Sequence, residues 1–311
     1  MYTAGTRHFY HPLLPLLVIM ISLFTSSLYA QSIHTNQLYS DHLGKPWRYS
    51  IYLPELIKEN TSQSYPVIFL LHGMFNSDKS FLHKGFAKII NELIDKQLIE
   101  PVIVVFPHGF QHSWWIDSDK FGAIQQSFFE DLLPHINHTY PVSLNSHQRA
   151  LAGISMGGFG ALNYIFDSRA NFDHLALFSP ALFLDSPLNL QTHPHAAPIN
   201  WRHHHVIKNT LEQRAFAIAE QEQSFNALRF IPHTYPYLHQ RFPQRLNEVN
   251  IFLFYGDSDP ITDSGTRFFQ DFLQEHHISA TITVTQGAKH SWSLWKTDFA
   301  RTLQYLFPKN K

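Results

Sequence analysis

Residues Ala150–Gly158 read ALAGISMGG and set Gly153, Ser155 and Gly157 in the spacing G-x-S-x-G. A serine at a sharp strand-to-helix turn sits in a strained backbone conformation. The residues two before and two after it must be nearly free of side chain so that strand and helix can approach. The flanks have the required character: an apolar run enters the turn, and a segment carrying Ala161, Leu162, Tyr164 and Ile165 leaves it. The stretch therefore predicts a strand over 148–154, a helix over 156–167, and the Ser155 hydroxyl presented above a sheet.

On both sides of this turn, short apolar runs alternate with helix-period segments from about residue 37 onward. Such alternation predicts an α/β fold, a mostly parallel central sheet with helices on both faces. Arg48–Leu53 reads as an early strand, and Pro66–Leu71 and Pro101–Phe106 are near-continuous apolar runs suited to buried central strands. Between them Phe81–Leu98 has helical spacing, with Phe86, Ile89, Ile90, Leu93 and Ile94 on one stripe. Phe128–Ile136 and Arg267–His276 are further helix candidates, and Thr297–Leu306 is a closing helix. Strands are expected over 174–179, Asn250–Tyr255 and Thr281–Thr285. Residues 184–247 carry scattered proline, clustered histidine and no clear strand, and read as an insertion over the sheet edge or active-site side. With no internal repeat, linker or second core, residues 31–311 read as one domain of about 280 residues.

Composition narrows the function classes. The 311 residues are 44% apolar and 15% aromatic, too rich in core material for a disordered chain. With 23 basic against 24 acidic side chains and no basic run, the chain lacks the clustered positive charge that nucleic-acid binding requires. The absence of cysteine excludes disulfides, a thiolate nucleophile and Cys-ligated metal sites. There are 22 histidines, and composition alone selects none of them.

Residues 1–30 contain one fully charged side chain, Arg7, then the apolar stretch Leu13–Phe24 and the small polar run Thr25, Ser26, Ser27. These are the regions of a secretory signal, with Ala30 at the cleavage position and a bulky Leu28 two residues before it. A dozen residues of helix span about 18 Å against a hydrocarbon core of about 30 Å, which disfavours a stable membrane span. The expectation is a periplasmic or secreted protein.

A serine nucleophile needs a general base, and imidazole suits that task. In the chain order Ser, Asp or Glu, His that accompanies such a turn, the base lies after the last strand. Thr281–Thr285 leads into QGAKHSWSLW, and His290 is the only histidine beyond it. The acid that orients the imidazole should follow the penultimate strand, where GDSDP offers Asp257 and Asp259, with Asp263 further on. Asp259 is selected, Asp257 being the alternative; turn formation or helix capping is the other role open to them. Acyl transfer also needs two backbone N–H donors for the oxyanion. Met156, directly after the serine, supplies one, and Met74, in the LLHGMFNS segment after Pro66–Leu71, the other. His72 and Gly73 read as turn formers.

These segments resemble the putative-esterase family of α/β-hydrolases, whose relatives include esterase D, feruloyl esterases and mycolyltransferases. The likeness covers roughly residues 37–183 and 248–307. It rests on YPVIFLLHG with Met74 following, HSWWIDS, FFEDLLPHINHTYPV, RALAGISMGGFGALNYIF, FSPALF, the GDSD turn and GAKHSWSLWK. The resemblance implies an α/β-hydrolase fold, a Ser155–Asp259–His290 triad, and Met74 and Met156 as oxyanion donors. An exported chain argues against the usually cytosolic esterase D branch. No segment within residues 184–247 contributes to the resemblance.

The expected function is an exported serine carboxylic-ester hydrolase working through an acyl-enzyme on Ser155, with no cofactor and a small-molecule, carbohydrate or lipid ester as substrate. Alternatives are acyl transfer to a sugar or lipid alcohol by the same triad, and an inactive binding module on the same fold. Trp114, Trp115, Phe183 and Trp292 are candidates to line an acyl or aryl pocket, with core packing as the competing role. His193, His195 and the run His203, His204, His205 lack the ligand order of a zinc motif and read as solvated loop side chains, so no metal is expected. Leu211–Leu228 is an amphipathic segment that reads as a lid or packed helix.

Overall fold

Valine, isoleucine and leucine dominate the runs before each predicted turn, and those runs form the middle of the sheet with neither face exposed. The computed structural model describes residues 33–54, 57, 63–182 and 233–309. The expected signal sequence, Phe183, the histidine clusters and Leu211–Leu228 lie outside the described residues. The eight strands are β1 Ile33–Ser40, β2 Lys45–Tyr52, β3 Val67–Leu71, β4 Ile103–Pro107, β5 Arg149–Ile154, β6 His174–Phe178, β7 Asn250–Gly256 and β8 Ala280–Thr285. They lie in the order β1-β2-β4-β3-β5-β6-β7-β8. β1 and β2 run antiparallel to their neighbours, and the pairs from β4 through β8 are parallel.

Parallel strands covered on both faces should bury successive residues in opposite directions. β3 does so: Val67, Phe69 and Leu71 join one core with Phe128, Leu132, Phe159 and Phe269, whereas Ile68 and Leu70 join a second with Phe86, Ile90, Phe299 and Leu303. The helices Met156–Ile165 and Asp263–Glu275 contribute to the first core, and Phe86–Asp95 and Trp292–Leu306 to the second. Among the described residues no helix is long and apolar enough to cross a membrane.

Three sequence expectations are corrected. The single helix over Phe81–Leu98 is two, Asp78–His83 and Phe86–Asp95, parted by Gly85 in a left-handed conformation (φ 79°). The helix expected over Phe128–Ile136 starts earlier, at Ile124–Ser127, passes through a π turn at Phe128–Leu132 and continues over Leu133–Thr139. The closing helix begins at Trp292 rather than Thr297, with the Ser291 hydroxyl accepting the Leu294 N–H at its N-terminus. β1 is an edge strand that the apolar pattern did not mark, because only its two end residues are buried.

Candidate active site

The end of β5 turns into the helix Met156–Ile165 within one residue, and that residue is Ser155, at φ 55° and ψ −117°. The neighbouring glycines are what make the turn physically possible. A Cβ on Gly153 would stand 2.0 Å from the Gly157 carbonyl oxygen, and one on Gly157 would stand 2.1 Å from that of Leu71. Backbone therefore packs on backbone where any larger residue would force strand and helix apart. The bend is held by the Ser155 N–H donating to the Phe178 carbonyl at 2.9 Å and by the Ala181 N–H donating to the Ser155 carbonyl at 2.9 Å.

His290, in the loop after β8, brings its Nε2 to 3.0 Å from the Ser155 Oγ. Its Nδ1 lies 2.7 Å from Asp259 Oδ2, in the loop after β7. Asp259 is fully buried at its carboxylate. Burial opposes ionisation there, but the hydrogen bond and charge of His290, with further bonds from Thr262 and the Ile261 N–H, hold its carboxyl below the usual range. An ionised carboxylate only accepts, so Nδ1 carries the imidazole proton and Nε2 is left to accept from the serine hydroxyl. Asp259 also closes its own turn: Oδ1 accepts the Ile261 N–H at 2.9 Å and the Thr262 N–H at 3.2 Å, while the Thr262 hydroxyl donates to Oδ2 at 2.7 Å. Asp257 faces elsewhere, accepting the Gly287 N–H at 2.6 Å.

Met156 is the first residue of its helix, so its N–H has no partner within the helix. Met74 follows β3, the strand beside β5, and among the described residues its N–H donates to no acceptor. A Cβ on Gly73 would lie 3.3 Å from the Ser155 Cβ, which places this loop against the serine. Ser155, Asp259, His290, Met74 and Met156 thus all lie at the carboxyl ends of parallel strands, where open α/β sheets form their ligand crevices.

The aromatic candidates divide differently from expectation. Trp115 is fully buried, edge-on to His72 at 5.1 Å, with its Nε1 donating to the His72 carbonyl at 3.1 Å. Its ring occupies the space left by the missing side chains of Gly109 and Gly160. Trp292, half-buried at the start of the closing helix, packs edge-on against Phe81 and Phe86. Trp115, with no exposed surface, is corrected from pocket lining to packing. Trp114 is 3% exposed and sits edge-on to Phe159. Trp295 was not anticipated: its indole lies edge-on to the His290 ring at 4.8 Å and its Nε1 donates to the Ser179 hydroxyl at 3.2 Å. Thr262 was also missed, although an Asp followed three residues later by Thr is a pattern that can close such a turn. Among the described residues no group of three or more His, Asp or Glu is placed to hold a metal ion.

A serine on a strained strand-to-helix turn, in contact with a histidine that in turn contacts a buried aspartate, all at the carboxyl ends of parallel strands, is the arrangement of an α/β-hydrolase. More specifically, the chain belongs to the putative esterase family, whose model matches residues 40–306. It is 30% identical over 132 residues to an endo-1,4-beta-xylanase/feruloyl esterase of Xylanibacter ruminicola, a match covering 39% of this chain and 18% of that protein. The chain thus aligns with about a fifth of the length of that curated relative. Among solved structures, a ferulic acid esterase superposes with a TM-score of 0.69 at 21% identity, over 88% of this chain and 97% of that one. FphF, a fluorophosphonate-binding serine hydrolase of Staphylococcus aureus, superposes with a TM-score of 0.68 at 15% identity, over 90% and 98%. At these identities the superpositions speak for the fold.

Proposed function

We propose that the chain is an exported serine esterase working through an acyl-enzyme. The observation that carries this is the unbroken hydrogen-bonded line from Ser155 Oγ through His290 to Asp259, at 3.0 and 2.7 Å. As the Ser155 Oγ attacks the ester carbonyl carbon, its proton passes to His290 Nε2 and the carbonyl oxygen becomes an oxyanion facing the Met74 and Met156 N–H groups. Collapse breaks the bond to the alcohol oxygen, which takes the proton from His290. Water then repeats the sequence on the acyl-enzyme, with His290 again as base, and releases the carboxylic acid and Ser155. Asp259 stabilises the imidazolium without taking its proton. Export is supported by the amino-terminal sequence, in which an apolar stretch follows a single fully charged residue.

The names of two relatives, a xylanase/feruloyl esterase and an acetyl esterase, direct the choice of substrate toward feruloyl and acetyl esters. Purified protein and its Ser155→Ala variant, compared on p-nitrophenyl acetate, methyl ferulate and an acetylated sugar, test the proposal. Turnover that vanishes with Ser155→Ala is expected, and turnover that survives the substitution overturns the mechanism. Product analysis with an added acceptor alcohol separates hydrolysis from acyl transfer.

A further inference from the structure

The carbonyl oxygen of one residue and the N–H of the next belong to the same rigid peptide plane and point in opposite directions. Whatever grips the Gly73 carbonyl therefore aims the Met74 N–H. In this structure the grip comes from His72. Its ring is fully buried, with Nδ1 2.8 Å from the Gly73 carbonyl oxygen and Nε2 receiving the Gly109 N–H at 2.8 Å. Since Nε2 accepts, the ring proton sits on Nδ1 and is donated to Gly73. Burial lowers the pKa of His72 to about 4, with small opposing and reinforcing effects from Gly73, His108, Asp78 and Arg48, so the ring is neutral at ordinary pH.

The surrounding loop is built to hold that ring and its peptide. The Trp115 indole donates to the His72 carbonyl, the Phe75 N–H donates to the Gln111 carbonyl at 2.9 Å, and the Asn76 side chain donates to the Met74 carbonyl at 2.9 Å. The loop after β4 thus clamps residues 72–75 through Gly109, Gln111 and Trp115, and does so with Phe110, Gln111, Trp114 and Trp115 all at positive φ. Non-glycine residues pay for such backbone conformations and keep them only where the surroundings over-determine them. The Asn76 N–H also reaches the Gly73 carbonyl, at a longer 3.3 Å.

We propose that His72 is a positioning residue for catalysis: its Nδ1–H fixes the Gly73–Met74 peptide so that the Met74 N–H faces the oxyanion formed at Ser155. This rests on the esterase mechanism above. The role is specific to the transition state, because the ground-state ester needs that donor much less than the tetrahedral oxyanion does.

Three substitutions test it. His72→Asn can place an amide N–H near the Nδ1 position, His72→Gln offers an acceptor to Gly109 but no donor to Gly73, and His72→Leu offers neither. With p-nitrophenyl acetate, His72→Gln and His72→Leu are expected to lose roughly 100-fold in kcat at nearly unchanged KM, and His72→Asn to recover most of it. Folded His72→Gln protein with wild-type kcat overturns the proposal, as does an equal loss in His72→Asn and His72→Gln. Should none of the variants fold, nitrogen-15 NMR of histidine-labelled wild-type protein decides: a neutral, Nδ1-protonated His72 at pH 7 is expected, and an Nε2-protonated or charged ring overturns the proposal. A fluorophosphonate probe on wild type keeps the two claims apart. If Ser155 labels and turnover depends on it while His72→Gln is unaffected, the positioning role alone fails. If Ser155 does not label, the mechanism itself fails.

Discussion

Asp257 Oδ1 accepts the Gly287 N–H at 2.6 Å, tying the loop after β7 to the loop that carries His290. Two residues later, Asp259 contacts the imidazole itself. The two carboxylates so close in sequence therefore make distinguishable predictions. Asp259→Asn is expected to lower kcat by about 10⁴-fold, because the wrong histidine tautomer is then favoured. Asp257→Asn keeps an oxygen acceptor for Gly287 and is expected to stay within about tenfold of wild type. Steady-state kinetics on one chromogenic ester rank the pair; the reverse ranking would make Asp257 the catalytic acid.

A second contrast concerns glycines. A methyl group at Gly157 would meet the Leu71 carbonyl at 2.1 Å, whereas one at Gly85 meets nothing within 4 Å and incurs only the cost of φ 79°. Gly157→Ala should destabilise by more than about 2 kcal/mol or prevent folding, and Gly85→Ala by about 1 kcal/mol. Urea denaturation midpoints check both.

Asp298 gives a pH prediction. It is buried in the closing helix, with Oδ2 lacking a hydrogen-bond partner among the described residues. Burial pushes its carboxyl up to about 7, against the pull of Arg301. The unfolded chain releases this proton near pH ~4, so between about 4 and 7 the folded state holds a proton that the unfolded state has lost. Stability should therefore fall as pH rises through that window and flatten above it, by a few kcal/mol at most. Asp298→Asn should abolish that slope and be the more stable protein at pH 8. Denaturation curves for both proteins from pH 5 to 8 show whether it does.

Thr262→Val removes the hydroxyl that donates to Asp259 Oδ2 while preserving shape. Loss of about 1 kcal/mol of support for the charged carboxylate should lower kcat about fivefold, leave KM unchanged and move the acid limb of the pH–rate profile upward. A changed KM with constant kcat would contradict this.

The site was more legible in the sequence than its surroundings. Gly153, Ser155 and Gly157 are legible because their spacing follows from backbone contact, and His290 because the chain order leaves one histidine after the last strand. Between Asp257 and Asp259 the sequence supplies only a shared turn; which carboxylate reaches the imidazole depends on the loop path. Trp115 shows a different limit, since hydrophobicity marks an indole for burial without saying whether the neighbour is substrate or protein. His72 looked like a turn former because no sequence pattern records which atoms its two ring nitrogens meet. β1 escaped because an edge strand with exposed middle residues carries little apolar signal.

One carboxylate, Asp259, both bonds the His290 imidazole and closes the turn into the helix Asp263–Glu275. Two backbone amides, those of Ile261 and Thr262, are thereby wired to the ionisation of the carboxylate on which the proposed mechanism relies. Their hydrogen-exchange rates form an internal gauge of that carboxylate: protonating Asp259 weakens the acceptor that protects them, so its ionisation can be followed at two amides without any substrate present.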